Sequence, residues 1–463
     1  MRPYGPYLLR HVLEKRGYTA QVIDFCHFFN EHNIVRFIKK FITDDTICLG
    51  VSTTFLAAKN LQDKICNVVA RIKSQYPNLK IVLGGPNAHR VTKDIPESEY
   101  VCIGDCEDLF PDLLDHWTKG TPEPFGQYDI LTKKKFYKSP LNKTFNIETS
   151  DFKWSDRDCI VPGESLPLEA SRGCVFKCKF CAYPLLGKKK LDYLRDVELL
   201  REEMVNNYEK YKVTNYFIMD DTFNDSEFKI DAFCEMVKTL PFKINFTAYV
   251  RMDLLDAFDG QAKKLKDAGL SAVFFGMETF HPEASMTIGK GWIGKNGKAF
   301  LENLLNNEWK DDVYITMGFI AGLPHEDKAS VANTMEYLKN DPRVTAFYWG
   351  LGLHKITDSW AYHSEFEKNI EKYGYTIHED GSWSNDMWTF AEARKVSDDW
   401  FKSNHRGNRW DGGCWDYIAF LGLGYEKRQL ADARIDKTAL RDLPEKVAKF
   451  LANYQQQLLA LTS

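Results

Sequence analysis

Between Leu166 and Gly350 the chain alternates short β-branched and aromatic runs with helical patterns six times. The runs are 166–171, Val213–Asp220, Lys243–Arg251, Ser271–Glu278, Val313–Gly322 and Val344–Gly350. Gly, Pro or polar residues flank them, and a stretch with helical periodicity separates each from the next. Neighbouring parallel strands need a long crossover, and a helix is the usual one. Six repeats predict an open (β/α)6 partial TIM barrel over 166–350, short of full eight-fold closure. In such a barrel, reactive groups belong on the loops at the carboxyl ends of the strands.

Residues 1–120 show the same alternation with shorter runs. A helix is expected from Gly5 to Gly17, with strands at Thr19–Phe25, Ile47–Thr53, Lys80–Pro86 and Tyr100–Gly104. This α/β pattern predicts a Rossmann-like domain whose ligand lies beyond the carboxyl ends of its strands. Those ends hold Ser52, Thr53, Gly84, Gly85, Gly104 and Glu107, small or polar positions that admit a large flat ligand. Residues 121–165 carry Pro and Lys with weak periodicity and are expected as a linker. Residues 351–463 crowd Trp360, Trp383, Trp388, Trp400, Trp410 and Trp415 together with Gly and His. They are expected to form a small, mainly helical C-terminal domain closing over the barrel mouth.

Composition narrows the function classes. A net charge of −4 over 463 residues supplies no general attraction to nucleic acid or anionic lipid. No apolar run reaches membrane-span length, and Met1–Tyr7 lacks the apolar core of a signal peptide. The expectation is a cytoplasmic protein that engages neither membrane nor nucleic acid. Lys188–Lys190 is read as a solvated basic face.

Cysteine spacing carries the chemistry. Of eleven cysteines, Cys174, Cys178 and Cys181 stand in a C-x3-C-x2-C pattern just after the first barrel strand. Three close thiolates call for a soft metal centre. A [4Fe–4S] cluster held by three cysteines leaves one iron open to another ligand. A zinc site would need a fourth Cys or His, and none lies nearby in sequence. Most of the others are expected as small core residues. Cys414, in the turn Trp410–Trp415, is a candidate catalytic thiol directed towards the mouth.

The triplet, with Glu169-Ala-Ser-Arg-Gly before it and Phe180 inside it, resembles the cluster motif of the radical S-adenosylmethionine (SAM) superfamily. The Gly84-Gly-Pro-Asn and Gly104-Asp-Cys-Glu segments are similar to the cobalamin-binding domain fused to one branch of that superfamily. The resemblance implies a [4Fe–4S] cluster, SAM and cobalamin as cofactors, and an external electron donor such as flavodoxin or ferredoxin. It implies Phe180, Asp220, Asp221, Thr222, Arg251, Glu278 and Gly322 as SAM contacts at the strand ends. The family's first strand has no counterpart before Gly5. The cobalt-ligating Asp-x-His-x-x-Gly motif is also absent, which implies a corrin bound without a lower histidine. Methyl transfer to an unactivated carbon is the implied reaction. The alternatives are a radical rearrangement, cyclisation or oxidation, and a non-catalytic metal-stabilised binding protein. The substrate, a small molecule or peptide, is not named by the sequence.

Overall fold

A computed structural model describes residues 1–56, 58–85, 88–139, 145–183, 194–339, 341–356, 362–404 and 410–462. Pro86, Asn87, Lys188–Lys190 and Trp360 lie outside these residues. Contacts divide the chain into two units. One holds 2–146, 151–161 and 451–463; the other holds Met1, 147–150 and 162–450.

The first unit is built on a five-stranded sheet. Its strands are β1 (Cys48–Ser52), β2 (Lys80–Gly84), β3 (Tyr100–Ile103), β4 (Gly126–Asp129) and β5 (Lys134–Lys138), in the order β1-β2-β3-β5-β4. All neighbours run parallel except β4 and β5. The interval expected as a linker therefore completes this sheet. Its Lys-rich sequence hid the strand because Lys134 is itself buried. The Lys134 ammonium donates to the carbonyls of Ile95 (2.9 Å) and Ser98 (2.8 Å), which makes it tolerable inside.

The strand expected at Thr19–Phe25 does not form. The Asp24 backbone N–H donates to the Tyr454 hydroxyl at 2.8 Å, and Phe25 turns to φ +58° with its N–H on the Asp24 carboxylate. Side chains thus satisfy backbone groups that a sheet would otherwise pair.

The second unit contains the expected six-stranded parallel sheet. Its strands are β6 (Ser165–Glu169), β7 (Asn215–Met219), β8 (Asn245–Val250), β9 (Leu270–Glu278), β10 (Tyr314–Ala321) and β11 (Val344–Gly350), each beside its predecessor. Alternation assigns the two faces. On one, Phe246 packs on Phe223 and Phe233, Phe275 stacks on Trp309, and the Tyr216 hydroxyl points to the helix Val197–Tyr211. On the other, β6 to β10 all meet one helix, Cys414–Gly422.

That helix plugs the barrel at the amino ends of its strands. Ser165, the first residue of β6, donates its hydroxyl to the Ile418 carbonyl at 2.5 Å. Gly422 is required by close approach, since a Cβ there would lie 2.4 Å from the Ser165 nitrogen. This helix is therefore not part of a lid, although Phe366 reaches Lys179, between Cys178 and Cys181, and Trp383 covers Gly322 past β10. Elsewhere in the C-terminal region the helix Phe390–Asn404 packs against β11. Three buried tryptophans of this region fix the surrounding chain through indole N–H donors. Trp383 bonds the Leu351 carbonyl (2.9 Å), Trp388 that of Glu326 (2.6 Å) and Trp400 that of Ala346 (2.7 Å).

Candidate active site

The cysteine loop leaves the carboxyl end of β6 and is fastened on both flanks. The Lys179 N–H donates to the Ile288 carbonyl (3.1 Å), and the Lys179 carbonyl accepts from the Phe366 N–H (3.0 Å). The Cys181 N–H closes a turn on the Cys178 carbonyl at 3.1 Å. Before the loop, Arg172 makes a two-pronged bridge to Glu169 at 2.9 and 3.1 Å. Such a fork fixes geometry better than a single contact.

Cys174 is buried, with its sulfur 3.3 Å from the Thr222 hydroxyl at the end of β7. Arg251, just past β8, sends Nη1 to the Cys178 sulfur at 3.8 Å. Its guanidinium also lies 3.7 Å from the centre of the Phe176 ring, inside the cysteine loop. Its other nitrogens bind Asp253 at 2.9 and 2.6 Å. Arg251 was expected as a SAM contact, but Asp253 already takes its two-pronged fork. The structure makes it a cation beside the thiols and a brace under the loop.

The two acids after β7 separate. Asp220 is buried and consumed by structure. It accepts from Lys229 (2.8 Å), the Ser171 hydroxyl (2.5 Å) and the Thr222 N–H (3.0 Å). Strand alternation turns it away from the mouth, so the expected ligand contact at this position is not made available. Asp221 is solvent-accessible yet walled by protein, as on the flank of a concave mouth. Desolvation there pushes its carboxyl up to about 6, despite hydrogen bonds from Tyr183 and the Gly173 backbone.

Glu278 ends β9 with φ +66°, a left-handed backbone that costs a non-glycine residue about 1–3 kcal/mol. Lys290 holds it there, reaching Glu278 Oε1 at 3.0 Å and the Gly276 carbonyl at 2.6 Å. A Cβ at Gly276 would fall 2.8 Å from Glu278 Oε1, so glycine clears the room for this carboxylate. The Lys290 ammonium also lies 5.8 Å from the Phe180 ring, bringing β9 to the cysteine loop. Sequence reasoning passed over Lys290 because it belongs to a helix start rather than a strand end. Gly322 sits at φ +97° with its Cα covered by Trp383, 2.4 Å from where a Cβ would be. Packing is reason enough for that glycine.

Cys414 is elsewhere. It is fully buried in the plug among Phe217, Ala272, Tyr314 and Tyr417. Burial pushes its thiol up to about 12, with the Thr247 and Thr316 hydroxyls beside it. The expected direction towards the mouth is thereby corrected, because an apolar helix carries it inward.

In the first unit, Thr53 is buried and binds the Gly84 carbonyl through its N–H (2.8 Å) and hydroxyl (2.9 Å). Gly85 (φ +97°) and Gly104 (φ +89°) follow their strands in left-handed turns. A Cβ at Gly84 would meet nothing within 4 Å. Ser52 and Gly104 are exposed, and Glu107 is buried in the first turn of the helix Cys106–Lys119. Ser52, Gly84, Gly85 and Gly104 thus leave the carboxyl ends of β1 to β3 bare of bulky side chains.

Residues 168–338, which contain the cysteine loop and β7 to β10, match the family model of the radical SAM superfamily. The barrel is a radical SAM domain. An uncharacterized methyltransferase of Pyrococcus horikoshii is 26% identical over 325 residues, 66% of this chain and 66% of its own length. A bacteriochlorophyllide d C-12(1)-methyltransferase of Chlorobaculum tepidum is 24% identical over 37% of each chain. The chain spans between 37% and 66% of the length of these two relatives. Among solved structures, the radical SAM methyltransferase TsrM of Kitasatospora setae superposes with a TM-score of 0.60 at 16% identity, covering 82% of this chain and 76% of TsrM. The cobalamin-dependent radical SAM enzyme OxsB gives 0.56 at 16% identity, covering 80% and 52%. At such identities the likeness concerns the fold.

A radical SAM domain takes a [4Fe–4S] cluster and SAM, and the residues present suit them. The donors are three thiols on one fastened loop, with the Arg251 cation against one of them. Burial raises the Cys174 thiol and pushes that of Cys181 up to about 11. A coordinated iron would reverse that preference and hold them as thiolates. Among the described residues, no three His, Cys, Asp or Glu side chains gather as one ion requires.

Proposed function

We propose that the chain is a cobalamin-dependent radical SAM methyltransferase acting on an unactivated carbon. The observation that carries the proposal is the fastened C-x3-C-x2-C loop at the barrel mouth, ringed by Thr222, Arg251, Glu278 and Lys290. Cys174, Cys178 and Cys181 would hold the cluster. When bound, it supplies the electron for reductive cleavage of SAM. Arg251 offsets thiolate charge and keeps Phe176 and the loop in place. Asp221, Thr222 and Glu278 line the mouth as candidate contacts for the polar groups of SAM. The plug helix closes the opposite end of the barrel and keeps solvent from entering behind the site.

The methyl-transfer part draws on the names of the curated relatives and on the two cobalamin-linked folds. The cobalamin part is also supported by the bare strand ends at Ser52, Thr53, Gly84, Gly85 and Gly104, where a broad planar ligand meets backbone, with Glu107 behind them. Such a corrin, when bound, would supply the transferred methyl group. We place the enzyme in the cytoplasm with a flavodoxin- or ferredoxin-type electron donor. Among the described residues, no helix is long and apolar enough to cross a membrane.

The test is anaerobic reconstitution of protein produced with cobalamin, followed by turnover with candidate substrates. The proposal expects about four irons per chain, corrin absorbance, and formation of both 5′-deoxyadenosine and S-adenosylhomocysteine. Deoxyadenosine alone, without corrin, would replace methyl transfer with a rearrangement, cyclisation or oxidation.

A further inference from the structure

The aromatic rings of the barrel strands fall into two populations. Those on the helix-covered face are shut away: Tyr216, Phe246, Phe275, Phe319 and Tyr348 are at most 4% exposed. On the inner face the rings against the plug, Phe217 and Tyr314, are buried as well, and those nearer the mouth keep accessible surface. Tyr249, Phe274 and Phe347 are half-buried, as is Trp415 from the plug, and Trp349 is 45% exposed. Burying a ring of this size is strongly favourable, so open rings inside a barrel have forgone ordinary core packing.

The inner rings form one surface. Phe274 meets Tyr249 (5.2 Å between centroids), Trp415 (5.8 Å) and Trp349 (6.4 Å). Phe347 meets Trp349 at 5.9 Å and 19°, and Trp415 at 5.5 Å and 30°. Together they make a shelf whose flat part is Phe347 with Trp349 and Trp415, while Phe274 borders it at 47° to Trp349 and Tyr249 meets Phe274 edge-on at 76°. Gly318 on β10 permits it: a Cβ there would strike Phe274 at 2.7 Å and Trp349 at 2.8 Å. Glycine removes the side chain that would split the shelf in two.

Its height in the barrel is set by register. Tyr249 lies two residues before Arg251, and Phe274 four before Glu278. At about 3.3 Å per residue, the shelf is roughly 7–13 Å below the ring of mouth residues. That is the depth at which a molecule resting on it would present an edge to the cysteine loop.

We propose that this shelf binds the substrate, and that the substrate brings a flat aromatic ring system to it. The near-parallel faces of Phe347 and Trp349 favour π-stacking, which a saturated ring of the same size forgoes. Calling the occupant the substrate rests on the radical SAM reading; the ring chemistry rests on the shelf alone.

Ligand-observed NMR on the reconstituted full chain tests it, with 2-naphthol and trans-2-decalol as probes. They share a carbon skeleton, one flat and one puckered. The expected result is 2-naphthol binding at least about tenfold tighter than the decalol. Trp349→Leu should weaken it more than fivefold and Trp349→Phe should largely retain it. Phe125→Ser, at an exposed ring of the other unit, is the unchanged control. Because Trp349 is half open, its variants should melt with the parent. Equal binding of the two probes, or naphthol binding indifferent to Trp349→Leu, would overturn the proposal. Iron content and basal 5′-deoxyadenosine formation, read on the same samples, report on the radical SAM reading separately. Normal values with no naphthol preference would sink the shelf alone.

Discussion

The two ends of the barrel each hold cysteine, and they treat it oppositely. At the carboxyl ends of the strands, three cysteines occupy a loop braced by Arg251 and reached by solvent at Cys178 and Cys181. At the amino ends, Cys414 is sealed in an apolar helix with Tyr417, Ile418 and Leu421 against the strands. The same thiol is a prospective metal ligand at one end and packing at the other. What differs is not the residue but the polar brace and the access around it. Strand direction decides which end receives which, because βα loops open only where the strands finish.

The strongest way to break this contrast is to remove a mouth cysteine. Cys178→Ala should leave 5′-deoxyadenosine formation at background, at least about a thousandfold below the parent, since the reaction has no other source of the electron. Turnover within tenfold of the parent would place the chemistry elsewhere.

Next in size is the buried pair that shapes the mouth. Lys290→Met strands the Glu278 carboxylate and should destabilise the protein by about 3–5 kcal/mol in urea unfolding. Pairing it with Glu278→Gln should recover most of that loss. If the double variant is as unstable as the single one, the pair is not what Lys290 contributes.

The third concerns Glu326, past the end of β10. Burial pushes its carboxyl up to about 7, against hydrogen bonds from Thr279 and Ser330. An unfolded glutamate titrates near 4.3, so between about pH 4.5 and 7 the folded chain holds a proton the unfolded chain has released. Stability should therefore fall as pH rises through this window, by about 3 kcal/mol in all. Glu326→Gln should flatten the profile, gaining on the parent at pH 8 and not at pH 4. An unchanged slope in chemical unfolding across that range would refute the assignment.

The smallest effect belongs to the plug. Cys414→Ala should cost about 1–2 kcal/mol from the small cavity and leave SAM cleavage within twofold. A loss of turnover with an unchanged melt would give this thiol a chemical part that its burial denies it.

Much of the barrel was legible from the chain. The barrel strands are long apolar runs, and the run Val344–Gly350 is β11 to the residue. The candidate metal ligands stood out because such chemistry needs spacing that core packing does not produce. The failures share a cause, namely polar groups satisfied by remote partners. Thr19–Phe25 has a strand's composition, but Tyr454, some 430 positions away, takes the Asp24 N–H. Asp220 and Asp221 look alike in sequence, and only Lys229, one helix on, decides that Asp220 is structural. The plug could have been suspected from Cys414–Gly422 itself, whose near-continuous apolarity suits a helix buried all round. A lid with one wet face would alternate.

Iron content compares the two ends most directly. Cys178→Ala and Cys414→Ala, reconstituted anaerobically side by side, should hold fewer than one and about four irons per chain respectively. Equal iron in the two variants, or loss confined to Cys414→Ala, would contradict the assignment of the cluster to the mouth.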